Sequence, residues 1–225
     1  MSCNPFSSAP IAEMFTSIDG EVNHCGQGTL SHFIRVAGCN LKCSWCDTKS
    51  TQKAEGFAVH RSDRLVYHLM DSIPQGVEKI TITGGEPLLY PSFLEEVVGI
   101  LSARGFEISV ETNGSIKIMN KLNCSWVMDI KPPSSGHEGC FCYHNLDLMN
   151  KQKDWLKLVI VTQDDLAWAV EETNYVCSKV GRCNIAWSLS GDGDVTPSHA
   201  ITTLLDSGMG FVKINAQLHK YLKLK

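Results

Sequence analysis

Cys39-Asn-Leu-Lys-Cys43-Ser-Trp-Cys46-Asp-Thr48 brings three thiols into one short loop, spaced CxxxCxxC with Trp45 directly before the last. Three thiolates at this spacing can hold three irons of a cubane [4Fe–4S] cluster, which leaves the fourth iron without a protein ligand. An open iron invites a ligand that does chemistry. A lone CxxC more often marks a zinc or redox pair, but a closed zinc site wants four protein ligands and this loop offers three.

The elements that must carry this loop read as alternating strands and helices. Ile11 to Ile18 reads as a first strand, and Ser31 to Gly38 as a strand that runs straight into the cysteine loop. Ser62 can cap a helix whose Leu65, Val66, Leu69, Met70 and Ile73 share one face. Val77 to Thr83 leads into Gly84-Gly85-Glu86-Pro87. A helix opened by Pro91 and stopped by Gly105 follows, and then a strand from Phe106 to Glu111. Trp126 to Ile130 is a strand before an irregular, Gly- and Cys-containing loop over 132–153. Beyond it come a strand at Leu156 to Val161, a helix at Asp165 to Lys179 and a strand at Asn184 to Leu189. A helix from Pro197 to Ser207, started by Thr196, and a strand from Phe211 to Ala216 close the series. Alternation of this kind gives a mostly parallel sheet with helices outside. About six such units predict an open partial (βα)6-type barrel, short of the eight that close a TIM barrel. The chain reads as a single domain over 1–225, with its core at about 11–217.

In parallel α/β folds ligands collect at the C-terminal ends of the strands, and the polar clusters fall there. Strand ends carry Gly38 to Thr48, Thr83 to Pro87, Glu111 to Gly114, Asp129 to Lys131 and Ser188 to Gly191. Gly84 and Gly85 lack a Cβ, so backbone there can approach a ligand and offer its polar groups. Thr112 and Asn113 suit ribose hydroxyls, although Asn-Gly also makes a turn unaided. Arg35 lies in an otherwise apolar strand and needs an anion, either a nearby carboxylate or a ligand.

With 225 residues, 43% hydrophobic and 20% charged, the chain can bury a sizeable core. A formal net charge of −4 argues against broad nucleic-acid binding, which needs clustered Lys and Arg. No run of 18 apolar residues suggests a membrane span, and Met1 to Pro10 lacks the basic start and apolar stretch of a signal peptide. Ten cysteines beside an open-cluster loop fit a reducing compartment, so a cytoplasmic location is expected. Outside the loop lie Cys3, Cys25, Cys124, Cys140, Cys142, Cys177 and Cys183. Three of these, Cys124, Cys177 and Cys183, sit among apolar neighbours as small hydrophobes. Cys140-Phe-Cys142 is a candidate second metal site.

The CxxxCxxC loop resembles the signature of the radical S-adenosylmethionine (SAM) superfamily, and Gly84-Gly85-Glu86-Pro87 resembles the turn that holds the SAM amino group. In that superfamily SAM ligates the fourth iron and is cleaved to a deoxyadenosyl radical that takes a hydrogen atom from the substrate. Glu13 to Glu21, Phe33-Ile-Arg35-Val-Ala-Gly-Cys39, Cys46-Asp-Thr48, Lys131-Pro-Pro-Ser-Ser135 and Gln217-Leu-His-Lys-Tyr221 are similar to the 7-carboxy-7-deazaguanine synthase family. That resemblance covers nearly the whole chain. It implies ring contraction of 6-carboxy-5,6,7,8-tetrahydropterin to 7-carboxy-7-deazaguanine with loss of ammonia, a step towards queuosine. It also implies a [4Fe–4S] cluster, SAM, Mg²⁺, a flavodoxin- or ferredoxin-type electron donor and a homodimer.

Carried over by position, the resemblance makes Cys39, Cys43 and Cys46 the cluster ligands and Thr48 the Mg²⁺ ligand. Ile18, Asp19, Gly20, Arg35, Thr83, Glu111, Gln217 and His219 fall to the substrate. Trp45, Cys46, Asp47, Gly84, Gly85, Glu86, Asp129, Ile130, Lys131 and Ser188 fall to SAM. Asp19 stands where relatives often have an amide, and would repel an anionic substrate unless turned away or paired. Two alternatives are a glycyl-radical activase, for which Arg35 and Thr48 have no use, and a non-catalytic iron–sulfur module, for which the Gly-Gly-Glu-Pro turn has none.

Overall fold

Side chains alternate across a strand, and here that alternation separates an apolar face from a polar one. The computed structural model describes residues 6–224, so Cys3 and the first five residues of the N-terminal stretch lie outside the described residues. Its strands are β1 (Ser8–Ile18), β2 (Leu30–Val36), β3 (Ala58–Arg61), β4 (Lys79–Gly84), β5 (Glu107–Thr112), β6 (Ser125–Ile130), β7 (Trp155–Ile160), β8 (Ile185–Leu189) and β9 (Lys213–Asn215). They form one sheet in the order β3-β1-β2-β4-β5-β6-β7-β8-β9. From β2 through β9 the neighbours pair in parallel, whereas β1 pairs antiparallel with both β2 and β3. The sheet stays open, with β3 and β9 as its edges.

The helices are α1 (Ser62–Ser72), α2 (Pro91–Ser102), α3 (Asn145–Leu148), α4 (Gln163–Val180), α5 (Pro197–Asp206) and α6 (Leu218–Tyr221). Ile80 and Ile82 of β4, Ile108 and Val110 of β5, Trp126 and Met128 of β6, and Leu156, Leu158 and Ile160 of β7 face this layer and form the main core with it. Trp187 of β8 is fully buried there, and its indole N–H donates to Thr173 Oγ1 of α4 at 3.1 Å. A buried tryptophan needs such a partner. The opposite face holds Arg35, Lys79, Thr81, Thr83, Ser109, Glu111, Ser125, Asp129, Lys157, Ser188 and Asn215, with a small apolar patch of Val22, Val127, Trp155 and Ala186. Parallel pairing keeps these residues in rows, as in Arg35 beside Thr83 and Asp129 beside Lys157.

Several elements differ from the sequence expectation. The edge strand β3 carries no alternation and stays half open to solvent, so its four residues leave no hydrophobic signal. Among the described residues four helices reach ten residues, and β5 runs to β6 through a loop without one, within the open, mostly parallel sheet that was expected. Ser62 is the first residue of α1 and not its cap; its hydroxyl donates to the Glu96 carboxylate instead. Thr162 caps α4 through a reciprocal capping box with Asp165, so the helix begins at Gln163, two residues ahead of the expected start. Thr196 caps α5 as its position predicts, accepting from His199 N at 3.2 Å. Among the described residues no helix is long and apolar enough to cross a membrane.

Candidate active site

The polar face opens at the C-terminal strand ends into a cavity of about 240 Å³. The cysteine loop leaves β2 through Gly38, whose φ of 95° lies in the region that favours glycine. Backbone bonds from Gly38 N to Thr51 O (2.8 Å) and Cys39 N to Gln52 O (3.0 Å) close the loop on itself. The segment after β6 clasps it from the other side. Ser44 N donates to Ser135 O at 3.2 Å and Trp45 Nε1 to Ser134 Oγ at 2.9 Å. Ser134 is fixed in turn by the Asp165 carboxylate, which accepts from its N–H at 3.0 Å and its hydroxyl at 2.6 Å.

Cys39, Cys43 and Cys46 are free thiols lining this cavity, and no fourth cysteine among the described residues lines it. Three free thiols lining one cavity fit a cluster held by three cysteines and open at one iron. The Cys140 and Cys142 pair gains no third converging ligand among the described residues.

The turn after β4 presses against that loop. A Cβ on Gly85 would stand 2.0 Å from Gly38 O, and one on Gly84 would stand 2.2 Å from Val36 O. Both contacts are with backbone, which cannot swing away, so glycine is required for this packing. The Gly85 N–H donates to Val36 O (2.9 Å) and the Glu86 N–H to Gly38 O (2.8 Å), so these two donors hold the cysteine loop and do not offer themselves to a ligand. Glu86 is fully buried. Its carboxylate accepts from Leu88 N (2.9 Å), Asn113 N (2.8 Å) and Thr112 Oγ1 (2.8 Å), joining the turns after β4 and β5. Burial raises its pKa against those hydrogen bonds.

The cavity floor is a charged network. Lys157 sits 3.2 Å from both Glu21 and Asp129, and Lys131 pairs with Asp129 at 2.7 Å. Burial favours a neutral Lys157, yet Asp129, Glu21 and Glu111 outweigh it and hold the ammonium charged well above its usual range. Burial likewise opposes ionisation of Asp129, but Lys131 and Lys157 keep its pKa low. Glu111 accepts from Thr83 Oγ1 at 2.7 Å. Its burial, reinforced by Asp19 and Glu21 and opposed by Lys157, pushes it up to about 7. A carboxyl that titrates near neutrality in a cleft is suited to proton transfer.

Most expected residues meet at this cavity: Ile18, Asp19, Gly20, Arg35, Trp45, Asp47, Thr48, Thr83, Gly84, Gly85, Glu111, Asp129, Lys131, Gln217 and His219 all line it. Asp19 is paired, as its charge requires, with Lys79 and with Thr81 Oγ1 at 2.9 Å. Arg35 meets a carboxylate of its own chain, with Nε 2.8 Å from Glu13 Oε1, while still bordering the cavity. Three expected SAM contacts lie off it. Glu86 is consumed in joining the turns, and Ile130 points to the helix layer. Ser188 Oγ accepts from Asn215 Nδ2 at 2.9 Å, and Ser190, two residues on, reaches the cavity instead. Sequence reasoning gave no role to Glu21 or Lys157. Lys157 was findable, since an ammonium within Trp-Leu-Lys-Leu-Val-Ile needs an anion just as Arg35 does.

A family model described as the Radical SAM superfamily matches residues 33–128, from β2 to within β6, including the cysteine loop and the glycine turn. The open, mostly parallel sheet with three cysteines at the C-terminal ends of its strands is therefore a radical SAM fold. The 7-carboxy-7-deazaguanine synthase of Clostridium acetobutylicum is 33% identical over 219 residues, 94% of this chain and 95% of its own. That of Methanospirillum hungatei is 38% identical over 166 residues, 72% of this chain and 66% of its own. The crystal structure of QueE from Escherichia coli superposes with a TM-score of 0.72 at 22% identity, over 92% of each chain, and shows the same fold. The chain belongs to the 7-carboxy-7-deazaguanine synthase family. It is a radical SAM enzyme, and the activase and non-catalytic readings fall away.

Proposed function

We propose that the cavity takes 6-carboxy-5,6,7,8-tetrahydropterin beside SAM and that the chain converts it to 7-carboxy-7-deazaguanine with loss of ammonia. The observation that carries this is the meeting in one cavity of Cys39, Cys43 and Cys46 with Arg35, Thr48, Thr83 and Glu111. When bound, the cluster and SAM supply one-electron chemistry and hydrogen-atom abstraction. This chain's residues position and protect. Trp45, Asp47, Gly84, Gly85, Asp129 and Lys131 would hold SAM, with Lys131 also 5.6 Å from the Trp45 ring centroid. Arg35, steadied by Glu13, would meet the substrate carboxylate through a planar fork suited to it.

Ile18, Asp19, Gly20, Thr83, Gln217 and His219 would complete the pterin pocket. Glu111 would hold or release a proton at its Oε atoms near neutral pH. Thr48 lines the cavity 3.7 Å from Cys46 Sγ and would give Mg²⁺ one hard oxygen. A single protein oxygen is adequate for an ion that commonly keeps several waters and takes the rest from its ligand. Lys220 reaches across the rim to Asp47 at 3.1 Å, which would help to close the site from water. The reading brings with it a flavodoxin- or ferredoxin-type donor, a homodimer and a cytoplasmic setting, with the whole chain acting as one domain.

The test is anaerobic turnover with reconstituted cluster, SAM, reductant, Mg²⁺ and the carboxypterin, following 7-carboxy-7-deazaguanine by mass spectrometry. Product that requires SAM and falls with Thr48→Ala supports the reading and the metal site together. Cleavage of SAM without any deazapurine would overturn the substrate assignment.

A further inference from the structure

At the N-terminal end of the parallel sheet, away from the cysteine loop, His24, Cys25 and Glu107 converge. His24 Nε2 stands 2.9 Å from Glu107 Oε2 and 3.3 Å from Cys25 Sγ, and the three donor atoms lie within 4.8 Å of one another. We propose that these three residues form a binding site for a zinc-class divalent ion, separate from the cluster and from the Mg²⁺ position.

The choice among roles follows from which ring nitrogen each partner uses. In a nucleophilic triad the thiol and the orienting acid sit on opposite nitrogens of the imidazole. Here both face Nε2, so the arrangement cannot relay a proton from thiol to acid through the ring. It has instead the convergence that a metal wants. With Zn–N and Zn–O near 2.0–2.1 Å and Zn–S near 2.3 Å, tetrahedral ligands lie about 3.3–3.6 Å apart. The His24–Glu107 and His24–Cys25 separations need only a few tenths of an ångström of opening, and Cys25 and Glu107 stand within 4.8 Å of each other.

The far side of the ring is arranged as a metal-bound histidine requires. Nδ1 is 2.6 Å from Ser125 Oγ and 3.5 Å from Ser109 Oγ, which fixes the ring and lets Nδ1–H donate away from the ion. The turn carrying His24 and Cys25 is also preformed. Cys25 N donates to the Asn23 side chain at 2.9 Å, and buried Asn23 donates to Glu21 O at 3.0 Å. A cleft of about 180 Å³ lined by His24, Glu107, Asn123, Cys124, Ser125 and Lys153 borders the site and would leave room for a water as fourth ligand. A thiolate and an imidazole select zinc over Mg²⁺ or Ca²⁺, which take oxygen. The ion would tie the 19–29 turn to the first residue of β5. Because the same turn delivers Asp19 and Glu21 to the cavity, such a clip would brace the active site from below.

The experiment uses holoprotein with its cluster in place, so that Cys39, Cys43 and Cys46 are already occupied. The protein is incubated with one to two equivalents of Zn²⁺ and millimolar Mg²⁺, desalted, and assayed for zinc and iron by mass spectrometry. The site predicts one zinc per chain with iron unchanged, and an X-ray absorption signature of one sulfur near 2.3 Å among nitrogen and oxygen ligands. Cys25→Ser and His24→Gln should each lose that zinc at least tenfold while keeping their iron and the thermal midpoint of the zinc-free wild type. No retained zinc in the wild type would overturn the proposal. Retention in a doubly substituted Cys25→Ser/His24→Gln chain would overturn it equally.

Discussion

Glu111→Gln tests the electrostatics of the cavity floor through stability alone. The folded chain raises this carboxyl from an ordinary glutamate value of 4.5 to about 7. The folded state therefore binds more protons at this residue than the unfolded state between those two values. The stability tied to the neutral form is complete below pH 4.5, declines as pH rises and is lost above about 7. At 1.36 kcal/mol per pKa unit, ionising Glu111 in place costs about 3 kcal/mol. Glutamine keeps a side-chain oxygen to accept from Thr83 Oγ1 and removes the titration. Urea unfolding of the cluster-free chain at pH 5 and pH 8 is the assay, with the midpoint and m fitted separately. Wild type should lose about 2.5 kcal/mol more than the variant between the two pH values, and the variant should be the more stable at pH 8. Parallel behaviour of the two proteins, within about 0.5 kcal/mol, would refute the placement of a neutral carboxyl on this floor.

Lys157→Met should destabilise by about 3–5 kcal/mol in urea unfolding, because Glu21 is left buried without its cation and Asp129 keeps only Lys131. Adding Glu21→Gln should return part of that loss, and additive costs would argue against the network. Gly85→Ala places a Cβ against Gly38 O, so it should lower stability by about 3 kcal/mol or more and weaken SAM in equilibrium binding. Arg35→Lys keeps the charge but loses the fork and its bond to Glu13. It should raise the carboxypterin KM about tenfold or more while leaving SAM cleavage without pterin unchanged; an equal fall in both would contradict a substrate role.

How much of this was legible in the sequence depends on the range of each interaction. CxxxCxxC and Gly-Gly-Glu-Pro are local, and their chemistry follows from residue type and spacing, so the cluster loop and the tight turn could be read directly. Two-residue alternation and helical periodicity likewise placed the parallel strands and the four long helices. The N-terminal cap of α4 was blurred by two residues because Thr162 acts through a reciprocal bond that periodicity does not register. The edge strand β3 was silent because a half-exposed edge has no need of an apolar pattern.

Partnership across the sheet came from the fold. Nothing in the order of residues says that Asp19 is neutralised by Lys79, 60 positions away, or that Glu21 gathers Lys157, Asn215 and Gln217 from β7, β9 and the segment leading into α6. Glu86 shows the same limit in reverse: its motif promised a ligand contact, and folding assigned it to joining two turns. Residue order alone says which reactive groups exist and at which strand ends they stand. Pairing in a buried, low-dielectric floor is set by distances of about 3 Å between residues far apart in the chain, and the fold alone sets those distances.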